Sequence, residues 1–271
     1  MVIFLVHMQR RKFLIGVAAA VVTARCGGSS PTGPTPPVTT PPYQPSGPIP
    51  PDSPPTPVLG LTQILAFGDS MTEGTTSTPL PFAPLTAGKP ESYPYKLQQL
   101  TTARYTSQTI VVLNAGQAGE AATDGPTRQR FNDRLSEAGP QLLLLLEGAN
   151  DMSKLAGQGN TAIDDGISLA VNAMEDMVRD ARGRRIEVML ATLPPQRTGG
   201  APARGEAAPF LGRYNDALKV MAGKKDARIV DLYALIPLSL VGEDGLHLTE
   251  AGYQRMAEVF LDAIAASFDV P

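Results

Sequence analysis

The fold this chain predicts is a single α/β domain of three layers, a flavodoxin-like, doubly wound parallel sheet of five strands with helices on both faces. Three observations carry it. Five short apolar runs recur after residue 60, and each is continuous rather than alternating in polarity, as expected of strands covered on both faces. Amphipathic segments of helical length separate them, and strand–helix–strand repeats wind into an open parallel sheet. The residues able to do chemistry fall just after the runs, beyond the carboxyl ends of the strands, where sites gather in such sheets.

Taken in order, the runs are residues 63–67, 109–113, 141–146, 186–192 and 228–232. Helices are expected over 92–100, 127–137, 161–182, 210–222 and 249–268. In the third of these, Ile163, Ile167, Ala170, Val171, Met174, Met177 and Val178 recur at helical spacing. Pro209 suits the first turn of the fourth helix and Thr249 an N-cap of the fifth. The leucines of 142–146 read as a buried strand with no chemistry of their own.

Ahead of this domain, residues 1–26 read as an export signal. Arg10, Arg11 and Lys12 form a basic start, and the apolar stretch 13–24 is too short for a stable membrane span. Arg10-Arg11 also fits a twin-arginine signal, and Met8 is an alternative start that would remove His7. Cys26 is the only cysteine, so no intramolecular disulfide forms. Its place after the apolar stretch resembles the lipidated first residue of a bacterial lipoprotein, although Arg25 stands where a small residue is usual. Lipidation at Cys26, giving a membrane tether, and simple cleavage nearby are the two readings. Residues 27–59 hold half of the chain's 26 prolines, with Thr, Ser and Gly and almost no charge. Such a spacer buries too little apolar surface to order itself. Residues 60–271 remain as one domain, expected to act as an exported monomer.

Composition narrows the partners. Hydrophobic residues at 42% and charged residues at 18% are those of a globular protein. A net charge of -3 without a dense basic face argues against nucleic acid. With His247 the only histidine beyond the first seven residues, zinc would depend on carboxylates alone. Neither usual glycine-rich phosphate loop occurs, and no cofactor is expected.

Ser70 follows the first run in Gly68-Asp69-Ser70 and opens a helix, so its hydroxyl lies near a helix N-terminus. Helix capping is the competing use of Ser or Asp at such a junction. The Gly-x-Ser-x-Gly spacing of the ordinary α/β hydrolases is absent. Gly116 and Gly119 follow the second run, where backbone N–H groups could face an oxyanion; a plain small-residue turn is the alternative. Asn150 follows the third run as a further donor or an Asx turn. Asp244 and His247 form the strongest local pair, since a carboxylate on one ring nitrogen frees the other to accept a proton. Glu243 competes for the acid role.

In this order, the segments 68–74, 114–119, 148–151 and 244–249 resemble the four blocks of the SGNH hydrolases, also called the GDSL lipase/esterase family. The likeness runs from about residue 64 to 260. It departs at Met71, where Leu is usual, and at Ala149, where a second Gly is common. The resemblance implies a serine esterase: Ser70 as nucleophile, His247 as general base, Asp244 orienting it. It also implies an oxyanion hole of the Ser70 N–H, the Gly119 N–H and the Asn150 amide. The substrate would be a small-molecule or carbohydrate ester, with short-chain or acetyl esters favoured by small size and export. Residues 75–91 are expected to shape the pocket. Acyl transfer to a sugar hydroxyl, or glycan binding without catalysis, are the alternatives on the same fold.

Overall fold

The computed structural model describes residues 56–74 and 88–270. The expected export signal, Cys26, most of the expected spacer and much of the 75–91 segment lie outside them. The elements are β1 (Val58–Leu59), β2 (Gln63–Gly68), α1 (Ser70–Glu73), α2 (Tyr93–Arg104), β3 (Val111–Gly116), α3 (Gly125–Ala138), β4 (Leu142–Leu146) and α4 (Ala149–Lys154). They continue with α5 (Asn160–Gly183), β5 (Glu187–Ala191), α6 (Leu211–Lys225), β6 (Arg228–Val230), α7 (Leu232–Leu235), a 3-10 turn at Leu238–Leu240, α8 (Glu250–Phe268) and β7 (Asp269–Val270).

Five strands pair in parallel in the order β3-β2-β4-β5-β6. The chain therefore starts near the middle, steps to one edge, returns and then proceeds to the other edge. The reversal between β2 and β4 is the switch point at which open sheets of this kind bind ligands. All five leucines of β4 are fully buried, as the unbroken apolar run requires of a central strand. Helices α2 and α8 pack together, α2 against β3 and α8 against β6, with Tyr93 stacked on Phe260 at 4.9 Å. On the other side, α5 packs against α3, α6 and β5, and its buried stripe runs from Ile163 to Ala181 at helical spacing.

Local chemistry explains most boundaries. Ser92 caps α2 by accepting from the N–H of Tyr95, and Thr249 caps α8 by accepting from Gly252. Some expectations shift. The second strand begins at Val111 and runs on to Gly116, so it carries the asparagine–glycine segment that the sequence assigns to a following loop. Pro209 precedes the Phe210 N-cap instead of lying in the first turn of α6. Val58 and Leu59, read as spacer, form β1 and pair antiparallel with Val270 and Asp269 of β7. That clasp joins the two ends of the described domain.

Candidate active site

Strand β2 delivers Ser70 directly. Gly68 ends the strand, and Asp69 caps α1 by accepting from the N–H of Met71 at 2.9 Å. Capping and a chemical role for Ser70 are thus not rivals, because Asp69 does the capping. Ser70 is 6% exposed. Among the described residues its N–H donates to no acceptor, as befits the open first turn of a helix.

His247 reaches Ser70 from the far end of the chain. Its Nε2 lies 2.8 Å from the Ser70 hydroxyl oxygen, and its Nδ1 lies 2.6 Å from Oδ2 of Asp244. A carboxylate only accepts, so Nδ1 carries the proton and donates it; neutral Nε2 then accepts from the serine O–H. The other oxygen of Asp244 accepts from the N–H groups of Leu246 and His247, both at 2.9 Å. Burial pushes this carboxyl upward, but the His247 ring and these two N–H groups outweigh it and hold the pKa below its ordinary value. Glu243, the competing acid, contributes its backbone carbonyl to Ala201 instead.

A second loop clamps this one. The N–H of Arg197 donates to the carbonyl of Gly245, Ala201 to Glu243 and Arg204 to Asp244, each within 2.9 Å. The N–H of Gly242 closes the loop on the carbonyl of His247 at 2.7 Å. The acid–base pair is thus held by backbone hydrogen bonds around its loop as well as by its own side chains.

The second and third blocks meet at the switch point. One N–H of the Asn150 amide donates to the carbonyl of Glu120 at 2.7 Å, which fixes the amide plane and leaves the second N–H for a ligand. Gly119 has φ +83, its N–H donates to no described acceptor, and the space where a Cβ would lie is open. The N–H of Gly116, by contrast, is taken by Asn114 at 2.9 Å. The neighbouring loop is tied down at both ends. Glu73 accepts from the N–H of Ala118 at 2.7 Å, and Asp151 accepts from Ala122, Thr123 and the Thr123 hydroxyl.

Beneath this loop lies a pair that the sequence reading misses. Arg130 of α3 grips both oxygens of Glu120, donates to the carbonyl of Ala115 at 2.7 Å and stacks over the Phe67 ring at 4.1 Å. Both side chains are largely buried. An arginine within an amphipathic helix carries no signal of this; only the contact does. Glu147, also missed, is fully buried beside Asp69. Among the described residues, no group of three His, Cys, Asp or Glu side chains is arranged to hold a metal ion.

Comparison with known proteins bears on the family and the fold. Residues 66–255 match the GDSL-like lipase/acylhydrolase family. A multidomain esterase of Ruminococcus flavefaciens is 27% identical over 165 residues, 60% of this chain but 20% of that protein, so the chain spans about a fifth of that relative. A lipase/acylhydrolase of Enterococcus faecalis superposes with a TM-score of 0.60 at 20% identity, covering 77% of this chain and 97% of the other. An acetylxylan esterase of Geobacillus stearothermophilus gives 0.59 at 19%, covering 76% and 95%. At these identities the two structures speak for the fold alone. The family match covers well over half the length, and the chain belongs to the GDSL-like lipase/acylhydrolase family of ester-bond hydrolases.

Proposed function

We propose that this protein hydrolyses carboxylic esters in two steps through an acyl-enzyme on Ser70. One observation carries the reading: a serine hydroxyl 2.8 Å from the accepting nitrogen of an imidazole whose other nitrogen is tied to a carboxylate at 2.6 Å. His247 takes the Ser70 proton as the oxygen attacks the ester carbonyl, then returns it to the leaving alcohol. Water repeats the sequence on the acyl-enzyme. Asp244 holds the tautomer and offsets the positive charge that develops on the ring. The N–H groups of Ser70 and Gly119 and the free N–H of the Asn150 amide receive the negative charge on the carbonyl oxygen. Their lack of other acceptors supports this role.

The substrate is a short-chain or acetyl ester, carbohydrate esters included. The fold shared with an acetylxylan esterase supports that choice. The basic start, apolar stretch and spacer support export, with Cys26 as a tether if it is acylated.

The full chain assayed on p-nitrophenyl acetate, butyrate and palmitate, with an organophosphate label and Ser70→Ala alongside, tests the reading. Turnover of the short esters and labelling that Ser70→Ala abolishes are expected. No labelling and no turnover would favour glycan binding; turnover requiring a sugar acceptor would favour acyl transfer.

A further inference from the structure

Directly below the nucleophile turn lie two acids that the ester chemistry does not use. The parallel register of β2 and β4 pairs Gly68 with Leu146, so the next residues, Asp69 and Glu147, emerge side by side from neighbouring strands. Both are completely buried. In each, one oxygen is engaged: Asp69 Oδ1 accepts from the N–H of Met71, and Glu147 Oε2 from the N–H of Gly148 at 3.0 Å. In each, the other oxygen is buried without a partner among the described residues. No lysine or arginine among those residues pairs with either acid. Arg130 is committed to Glu120, and the remaining neighbours are Glu120, Asp151 and the hydroxyl-bearing rings of Tyr93, Tyr214 and Tyr253.

Two adjacent buried carboxylates with no cation cannot both stay ionised. Two acids, each with one orphaned oxygen, supply one another's missing partner when a single proton lies between them. We propose that Asp69 and Glu147 share one proton, with Glu147 holding it and donating to the free oxygen of an ionised Asp69. Glu147 is then a positioning residue for Ser70. Burial and the charge of Asp69 push Glu147 well up from the ordinary carboxyl range, whereas Asp69 is raised only to about 7. Asp69 has two backbone N–H groups near its carboxylate, those of Met71 and Ala149, against the single Gly148 N–H for Glu147. The charge is therefore better held on Asp69, and the proton falls to Glu147. Ionised Asp69 grips the N–H of Met71 and faces the N–H of Ala149 without closing a hydrogen bond of good geometry. It thereby stands between the turn that carries Ser70 and the turn that carries Asn150. The catalytic part of this inference rests on the esterase reading above; the shared proton does not.

The test is infrared spectroscopy of the full chain in D2O near pH 8, where ordinary carboxyls are ionised. The wild type should show a protonated-carboxyl carbonyl stretch. Glu147→Gln should lose it, and Asp69→Asn should retain it at a shifted frequency, its ionic acceptor having gone. No such band in the wild type, or one that survives Glu147→Gln unchanged, overturns the proposal, as it would if a water bridged two ionised acids. In turnover, Glu147→Gln keeps an N–H donor toward Asp69 and should stay close to wild type. Glu147→Leu, which does not, should lose roughly 10- to 100-fold in kcat with KM unchanged. If both variants fall equally, the positioning role fails. If the wild type itself turns over no ester, the esterase reading has failed and the infrared bands still decide the proton.

Discussion

The Nε2 of His247 lies 2.8 Å from the hydroxyl of Ser70, across 177 residues of chain. Neither side chain is free to drift, since each stands on a turn fixed by backbone hydrogen bonds. Replacing Ser70 or His247 by Ala should therefore cut kcat by about 10³-fold or more while leaving the denaturation midpoint nearly unchanged. Paired esterase assays and urea titrations measure both. Unfolding of Ser70→Ala would return this residue to a purely structural role.

Asn150 offers a smaller and more specific loss. Its amide is oriented by the Glu120 carbonyl at 2.7 Å, so Asn150→Ala removes one preorganised donor. We expect kcat to drop about 10²- to 10³-fold with little change in KM. A rise in KM alone would place Asn150 in ground-state binding instead.

The Arg130–Glu120 pair should behave as a unit. Arg130→Met leaves a carboxylate buried without its cation and should destabilise the domain by about 3–5 kcal/mol. Adding Glu120→Gln should recover much of that loss. Urea midpoints of the two single variants and the double variant form the cycle, and additive losses would contradict the pairing.

Gly245 has φ +80, and a Cβ there would lie 1.9 Å from the carbonyl of Arg197. Gly245→Ala should force apart the two loops that hold His247. The expected result is a loss of activity larger than that of Gly119→Ala, whose added methyl group meets open space. Equal losses would show that the clamp does not matter to the ring.

Acid and base act on stability with opposite signs. Asp244 has a folded pKa below its ordinary 3.8, so its contribution is complete above that value and is lost as pH falls through the folded value. Asp69 is raised from 3.8 to about 7, so the folded state binds more protons within that window and stability declines as pH rises through it. The decline is on the order of 2–4 kcal/mol, coupled to Glu147. Urea midpoints between about pH 4 and about pH 8 should fall less steeply for Asp69→Asn than for wild type. Parallel slopes would remove Asp69 as the cause.

The layered fold was legible because burial on both faces leaves a mark on the inner strands β2, β4 and β5. The all-leucine β4 is the buried strand its run announces, and the expected helix positions hold to within a few residues. Less could be read where residues act through contact. The β1–β7 clasp is two residues against two, too short for any period to register. Arg130 looked like one more charge on a helix, and Glu147 like a loop residue after a strand. Asp244 was the expected acid and Glu243 its competitor; the path of the loop makes Asp244 the one that meets the ring.

The order of apolar runs by itself determined a parallel α/β sheet, and the sparse histidine determined which residue could serve as a base. Both follow from composition along the chain, because burial and titration belong to single residues. Only the tertiary structure decided the strand order, the clamp around His247 and the pairing of Asp69 with Glu147. Those depend on distances between residues far apart in sequence, and such distances exist only once the backbone has closed.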